Sequence, residues 1–198
     1  MALPEGPSTT RRPARASLLE AAARLFYSDG VAATGIDSIT AAAGVAKKSL
    51  YNNFASKADL VAAYLAARHE EWLALYRERV AAAAAPQDRV LAVFDAYIDH
   101  ANFAYEHGFR GCGLLNAAAE LPAGAPGRQA AREHKEEVEG LLLAHVAELL
   151  PGRDGMAAGV ARHLAFLLEG SMARAGLEGE DRCLHEARAI AARMLEAL

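Results

Sequence analysis

Residues 34–57 read Thr-Gly-Ile-Asp-Ser-Ile-Thr-Ala-Ala-Ala-Gly-Val-Ala-Lys-Lys-Ser-Leu-Tyr-Asn-Asn-Phe-Ala-Ser-Lys, and few folds accommodate them. Ile36, Ile39 and Ala43 recur at helical spacing and mark the apolar stripe of a short helix. Thr34 followed by Asp37 offers a capping-box start, with Gly35 as an alternative N-cap. Gly44 then supplies the left-handed residue that ends the helix and turns the chain. Past Val45, a buried turn residue, a second short helix turns Leu50 and Phe54 inward. Two short helices about one glycine make a helix–turn–helix over residues 35–54. The outer face of the second carries Lys47, Lys48, Ser49, Tyr51, Asn52 and Asn53, with no acid among them. Donors, acceptors and positive charge are what a helix presents to a major groove; the plainer reading is a solvated helix face.

The rest of the chain is helical by pattern. Hydrophobic residues make up 53% of it, much of that alanine, and runs such as residues 81–85 favour helix strongly. The class is all-α, with about nine helices. Leu18, Leu19, Ala22, Leu25 and Phe26 define a first helix from Arg15 to about Asp29, stopped by Gly30. Ser56 and Asp59 form another capping box, opening a long helix that runs to the alanine tract before Pro86. A further long helix starts near Pro86, with Val90, Phe94, Tyr97, Ile98, Ala101 and Tyr105 on one face before Gly108. A short apolar helix follows over residues 114–121, then helices over 129–150, 156–175 and 181–198. The pattern divides the chain into a flexible arm over residues 1–14, a three-helix unit carrying the helix–turn–helix over 15–60, and a helical body over 61–198.

Charge agrees with that division. The formal net charge is −4, yet residues 1–60 hold seven basic side chains against five acids, so the acidity lies in the body. Arg11, Arg12 and Arg15 in and beside the arm can reach phosphate, or the arm is a solvated tail. No stretch approaches the roughly 18 consecutive apolar residues of a membrane span. Two cysteines do not make a disulfide framework, and a cytoplasmic location without membrane partners is expected.

Several fixed spacings agree at once with one family. Gly30-Val-Ala-Ala-Thr34, Ile39, Ala42-Ala43-Gly44-Val45, Leu50-Tyr51-Asn52-Asn53-Phe54 and Ser56-Lys57 resemble the DNA-binding domain of the tetracycline-repressor (TetR) family. The resemblance covers roughly residues 15–65; beyond them it is architectural. It implies that residues 15–60 are a DNA-binding domain and 61–198 a helical ligand-binding and dimerisation domain, in a ligand-responsive, homodimeric repressor whose recognition helices enter successive major grooves of a palindromic operator, and which a small-molecule effector releases. The chain departs from the family pattern at Ala46, where a capping serine is common, at Lys48, where a small residue is common, and at Asn53, where histidine is usual.

Within that frame Lys47, Lys48, Ser49 and Asn52 are the expected base readers, since lysine addresses guanine and asparagine pairs with adenine. Tyr51, Asn53, Lys57 and Thr34 are the expected phosphate contacts. For the effector, Phe94, Tyr97, Ile98, Phe103, Phe109, Asn116, Glu120 and His134 combine apolar rings with a few polar anchors, although each ring alone reads equally as core. The last two helices carry Gly159, Gly170, Ser171 and Ala173, small residues that permit close approach in a four-helix dimer interface or within one chain.

Metal and cofactor chemistry are not expected. His100, His107, Cys112 and His134 lack HExxH or CxxC spacing, and His69-Glu-Glu-Trp72 lacks a second histidine. Cys112 with Arg110 nearby reads either as a redox-sensing thiol or as a small buried hydrophobe. The competing class is an all-α small-molecule-binding protein or enzyme with an incidental helix–turn–helix. No assembled nucleophile–base set supports an enzyme, and none is predicted.

Overall fold

The computed structural model describes residues 13–103 and 108–198, and among these the chain forms helices and no strand. In order they are α1 (Ala14–Ser28), α2 (Ile36–Ala42), α3 (Lys47–Asn53), α4 (Lys57–Ala81), α5 (Pro86–Ala101), α6 (Gly113–Ala119), α7 (Pro126–Leu149), α8 (Asp154–Glu178) and α9 (Arg182–Glu196). Arg11, Arg12, Tyr105 and His107 lie outside the described residues, as does most of the expected arm.

Helices α1 to α3 close on a small core. Leu18 and Ala22 of α1, Ile39 of α2 and Leu50 of α3 are wholly buried, with Phe26 and Phe54 nearly so. Neither seven-residue helix can persist alone, and the burial of Ile39 and Leu50, each worth about 1.5–3 kcal/mol, holds them. Gly44 takes φ 64° at the turn, a conformation costly for any residue with a Cβ.

Helix α4 belongs to both parts of the molecule. Its first turn is fixed by half of the predicted box: Ser56 Oγ accepts from Asp59 N at 3.1 Å, while Asp59 accepts from Ala55 N at 3.0 Å, one residue before the N-cap, instead of from the N-cap's own N–H. Leu60 and Tyr64 pack on the N-terminal core, Tyr64 edge-on to Phe26 at 5.5 Å. Trp72 and Tyr76, further along, stack on each other at 5.6 Å inside the body. The boundary expected near residue 60 therefore falls inside one continuous helix.

The body packs α5, with its fully buried Val90, Val93 and Ala96, against α4, α7 and α9. Arg188 of α9 holds Asp95 of α5 through two bonds of 2.5 and 3.1 Å. Two helices exceed their predicted bounds. α7 starts at Pro126, where proline suits a first helical turn. α8 continues through Gly176, whose missing side chain lets it pack directly on the backbone of Arg110 and Gly111.

Candidate nucleic-acid interface and its link to the body

Helix α3 meets the predicted description at its outer face. Lys47, Lys48, Tyr51 and Asn52 are exposed, Ser49 and Asn53 are half-buried, and Leu50 faces the core. Tyr51 is 53% exposed, a large ring turned outward. Ala46 is the N-cap and supplies no side-chain acceptor, so the first N–H groups of α3 have none from the residue where the family commonly has serine.

Lys47 pairs with Asp37 of α2 at 2.8 Å, and that hydrogen bond raises its pKa. Both side chains are more than half exposed, so the pair is weak and yields readily to phosphate or a base edge. Asn53 donates to Ser49 O at 2.7 Å, which fixes its amide along the helix. Lys57, half-buried, stands at the first position of α4. Arg15 lies over the Phe54 ring at 5.0 Å, so this member of the basic cluster braces the domain.

Thr34 differs from its expected roles. It is 3% exposed, and its hydroxyl donates to Gly30 O at 2.6 Å. Gly35 takes the N-cap place of α2, and Thr34 neither caps that helix nor offers a free hydroxyl to phosphate. It shapes the α1–α2 turn instead.

That turn is gripped from the body, through contacts that residue spacing does not reveal. Glu120, at the end of α6, accepts from the backbone N–H groups of Val31 at 3.1 Å and Ala32 at 2.6 Å, 88 residues away in the latter case. Gly30 has φ 93°, and a Cβ there would lie 2.7 Å from Glu120 Oε1, so glycine is required twice over. Arg110 closes the other side. Its guanidinium donates to Tyr27 O at 2.7 Å and to Ser28 O, placing a cation on the carbonyl end of α1. Arg110 N donates to Tyr27 Oη at 2.6 Å, and Tyr27 Oη donates to Gly111 O at 3.1 Å. Asn116 holds this loop through Arg110 O at 2.9 Å. These bonds tie both ends of α6 to the end of α1 and the α1–α2 turn.

The expected effector residues are dispersed. Phe94, Tyr97, Ile98 and Phe109 are buried in the core, and Phe103 packs on His100 at 5.3 Å. Glu120 and Asn116 serve the clasp just described. His134 lines a cavity of about 310 Å³ between α4 and α7, together with Ala62, Leu65, Ala66, His69, Glu133 and Glu137. Cys112 is buried as the N-cap of α6, while the Arg110 side chain is committed to α1. The Cys183 thiol is pushed up by burial and by Glu178, to which it donates at 3.3 Å.

Among the described residues, no group of three or more His, Cys, Asp or Glu side chains is arranged to hold a metal ion. No helix among them is long and apolar enough to cross a membrane.

An exposed cationic and amide-bearing helix, set by a tight turn on a separate helical body, defines a helix–turn–helix protein. Comparison with known proteins narrows the class. A family model described as Bacterial regulatory proteins, tetR family, matches residues 18–64. The HTH-type transcriptional regulator TtgR of Pseudomonas putida is 46% identical over 56 residues, 28% of this chain and 27% of that protein. The HTH-type transcriptional repressor KstR2 of Mycobacterium tuberculosis is 38% identical over 82 residues, 41% of each. The chain thus matches less than half the length of these two curated relatives. The likeness to solved structures runs further. A TetR-family transcriptional regulator from Streptomyces coelicolor is 32% identical with a TM-score of 0.80, over 92% of this chain and 94% of that one. A TetR transcriptional regulator from Chloroflexus aurantiacus is 26% identical with a TM-score of 0.79, again over 92% and 94%. The chain belongs to the TetR family of bacterial regulatory proteins.

Proposed function

We propose that this protein is a homodimeric transcriptional repressor that binds a palindromic operator through α3 and leaves it when a small molecule occupies the body. The observation that carries the reading is the α3 face, where Lys48, Ser49, Tyr51 and Asn52 stand free of acid around a fully buried Leu50. Lys47, Lys48, Ser49 and Asn52 take the base edges, and Tyr51, Asn53 and Lys57 the backbone phosphates. The protein acts by binding, in the cytoplasm where its operator lies, and not by catalysis.

Dimerisation runs through α8 and α9. Phe166 is 65% exposed and Leu177 85%, and Ile190 of α9 is exposed as well. Apolar side chains so exposed on paired C-terminal helices suit an isologous four-helix contact. In the dimer bound to DNA, the two α3 helices stand about 34–36 Å apart, one helical turn.

Release follows from linkage. A ligand favouring a body conformation in which the Glu120 and Arg110 contacts shift lowers operator affinity by its differential affinity for the two states. The test is fluorescence anisotropy on a palindrome from the gene's own upstream DNA. Lys48→Ala combined with Asn52→Ala is expected to weaken binding at least tenfold, and unchanged affinity would refute the reading.

A further inference from the structure

The cavity between α4 and α7 has a lining unlike the rest of the body. On α4, Ala62, Leu65, Ala66 and His69 form one stripe; on α7, Gly127, Ala130, Glu133, His134 and Glu137 form the other. Small residues on both stripes leave the space, since Ala62, Ala66, Gly127 and Ala130 carry at most a methyl group. At about 310 Å³ it lies at the lower end of small-molecule sites, roughly 300–1,000 Å³. One end is apolar, through Leu65 and the alanines. The other gathers two imidazoles and two carboxylates.

The protonation of that polar end is set from inside the body. Lys135 can only donate, and it does so to Glu169 at 2.8 Å and to Tyr97 Oη at 3.1 Å. Burial favours its neutral amine, but Cys112, Tyr97 and Glu169 outweigh that and keep it charged. Burial, then Lys135 and the histidines His69 and His100, brings the pKa of His134 down to about 3, so His134 is neutral. With Lys135 donating, one arrangement pairs every group. Tyr97 O–H donates to His134 Nε2 at 3.2 Å, and His134 Nδ1–H donates to His69 Nδ1 at 2.9 Å. His69 Nε2 then lies 3.3 Å from Glu137 Oε2.

The charge of the cavity follows. Its lining includes no lysine or arginine. Glu133 accepts from the neutral amide of Gln129 at 2.7 Å, and Glu137 lies 3.3 Å from the His69 ring nitrogen. Two carboxylates, one turn apart on α7, thus face an apolar-floored cavity whose lining has no lysine or arginine to pair them. That arrangement attracts a positive charge attached to an apolar body.

We propose that the α4–α7 cavity is the effector site and takes a small organic cation, its ammonium group between Glu133 and Glu137 and its apolar body on Ala62, Leu65, Ala66 and Ala130. This rests on the repressor reading and names the chemistry of its ligand. The site is also placed to transmit. Gly127 leaves room for the ends of Leu65 and Leu121, and Leu121 adjoins Glu120, which grips the α1–α2 turn. An occupant that parts α4 from α7 moves the segment carrying that carboxylate.

The chain contains one tryptophan, Trp72, whose ring lies 5.3 Å from that of His134, so its emission reports on the cavity wall. The experiment titrates DNA-free protein with three probes of one shape: phenethylammonium, the neutral 2-phenylethanol and the anionic phenylacetate. Trp72 emission and calorimetry are followed for each. Phenethylammonium is expected to saturate and to bind at least tenfold more tightly than the alcohol, with phenylacetate weakest. Glu133→Gln with Glu137→Gln, shape-conserving changes, is expected to remove that preference and leave alcohol binding unchanged. Equal or tighter binding of phenylacetate, a cation affinity unaffected by the double substitution, or binding by none of the three would overturn the proposal. Because DNA is absent, such a failure leaves the operator reading standing, and that reading fails only in the anisotropy experiment.

Discussion

Glu120 and Gly30 concentrate the link between the two parts of the molecule in a few atoms. A carboxylate accepting two backbone N–H groups makes charge-assisted bonds, each worth more than a neutral one. Glu120→Ala is expected to cost roughly 1–3 kcal/mol and to speed hydrogen exchange at the Val31 and Ala32 amides. Exchange no faster than in the wild type would show the grip to be dispensable. Gly30→Ala adds a Cβ both at φ 93° and against Glu120, and should reproduce the loss. Another residue-scale expectation concerns acid. His134 has a pKa of about 3 when folded and 6.5 in the unfolded chain, so below pH 6.5 the unfolded chain binds a proton that the native state does not. Its contribution to stability therefore declines as pH falls from 6.5 towards 3, by up to about 1.4 kcal/mol per pH unit. Urea midpoints at pH 7 and pH 5 should fall less for His134→Gln than for the wild type; equal falls would assign the acid sensitivity elsewhere.

At the scale of the element, what was legible in the sequence was what neighbours along the chain decide. Ser56 caps α4 through Asp59 N within four residues, Gly44 makes its turn alone, and the apolar spacing of α1 and α4 shows which faces bury. The contacts that join elements were not legible. Glu120 reads as a pocket anchor, because nothing local tells that it meets Val31 and Ala32. The His69–His134 pair, 65 residues apart, is equally invisible until α4 and α7 are laid side by side. Helix ends moved for a related reason: Gly176, just past the predicted end of its helix, stays helical where it packs on the backbone of Arg110 and Gly111. The bare N-cap at Ala46 gives an element-scale test. Ala46→Ser supplies the missing acceptor and should stabilise the protein by about 0.5–1 kcal/mol, read from urea denaturation. No gain would mean that the first turn of α3 already has its partners.

For the whole molecule, the proposed function rests on three surfaces: the α3 face, the α4–α7 cavity and the apolar side of α8 and α9. The last is open to a direct check, because Phe166 and Leu177 are too exposed to matter to the core. Phe166→Glu with Leu177→Glu should yield folded monomers by sedimentation and weaken operator binding, whereas a persisting dimer would place the interface elsewhere. The claim on which the rest depends is that α3 reads DNA in pairs. Selection of bound sequences from a pool of random duplexes tests it with no operator chosen in advance. The expected result is enrichment of one palindrome with half-site centres about 10 base pairs apart, or a multiple, and its loss with Lys48→Ala and Asn52→Ala. A pool that stays random, or an enriched site that both variants still select, would contradict it.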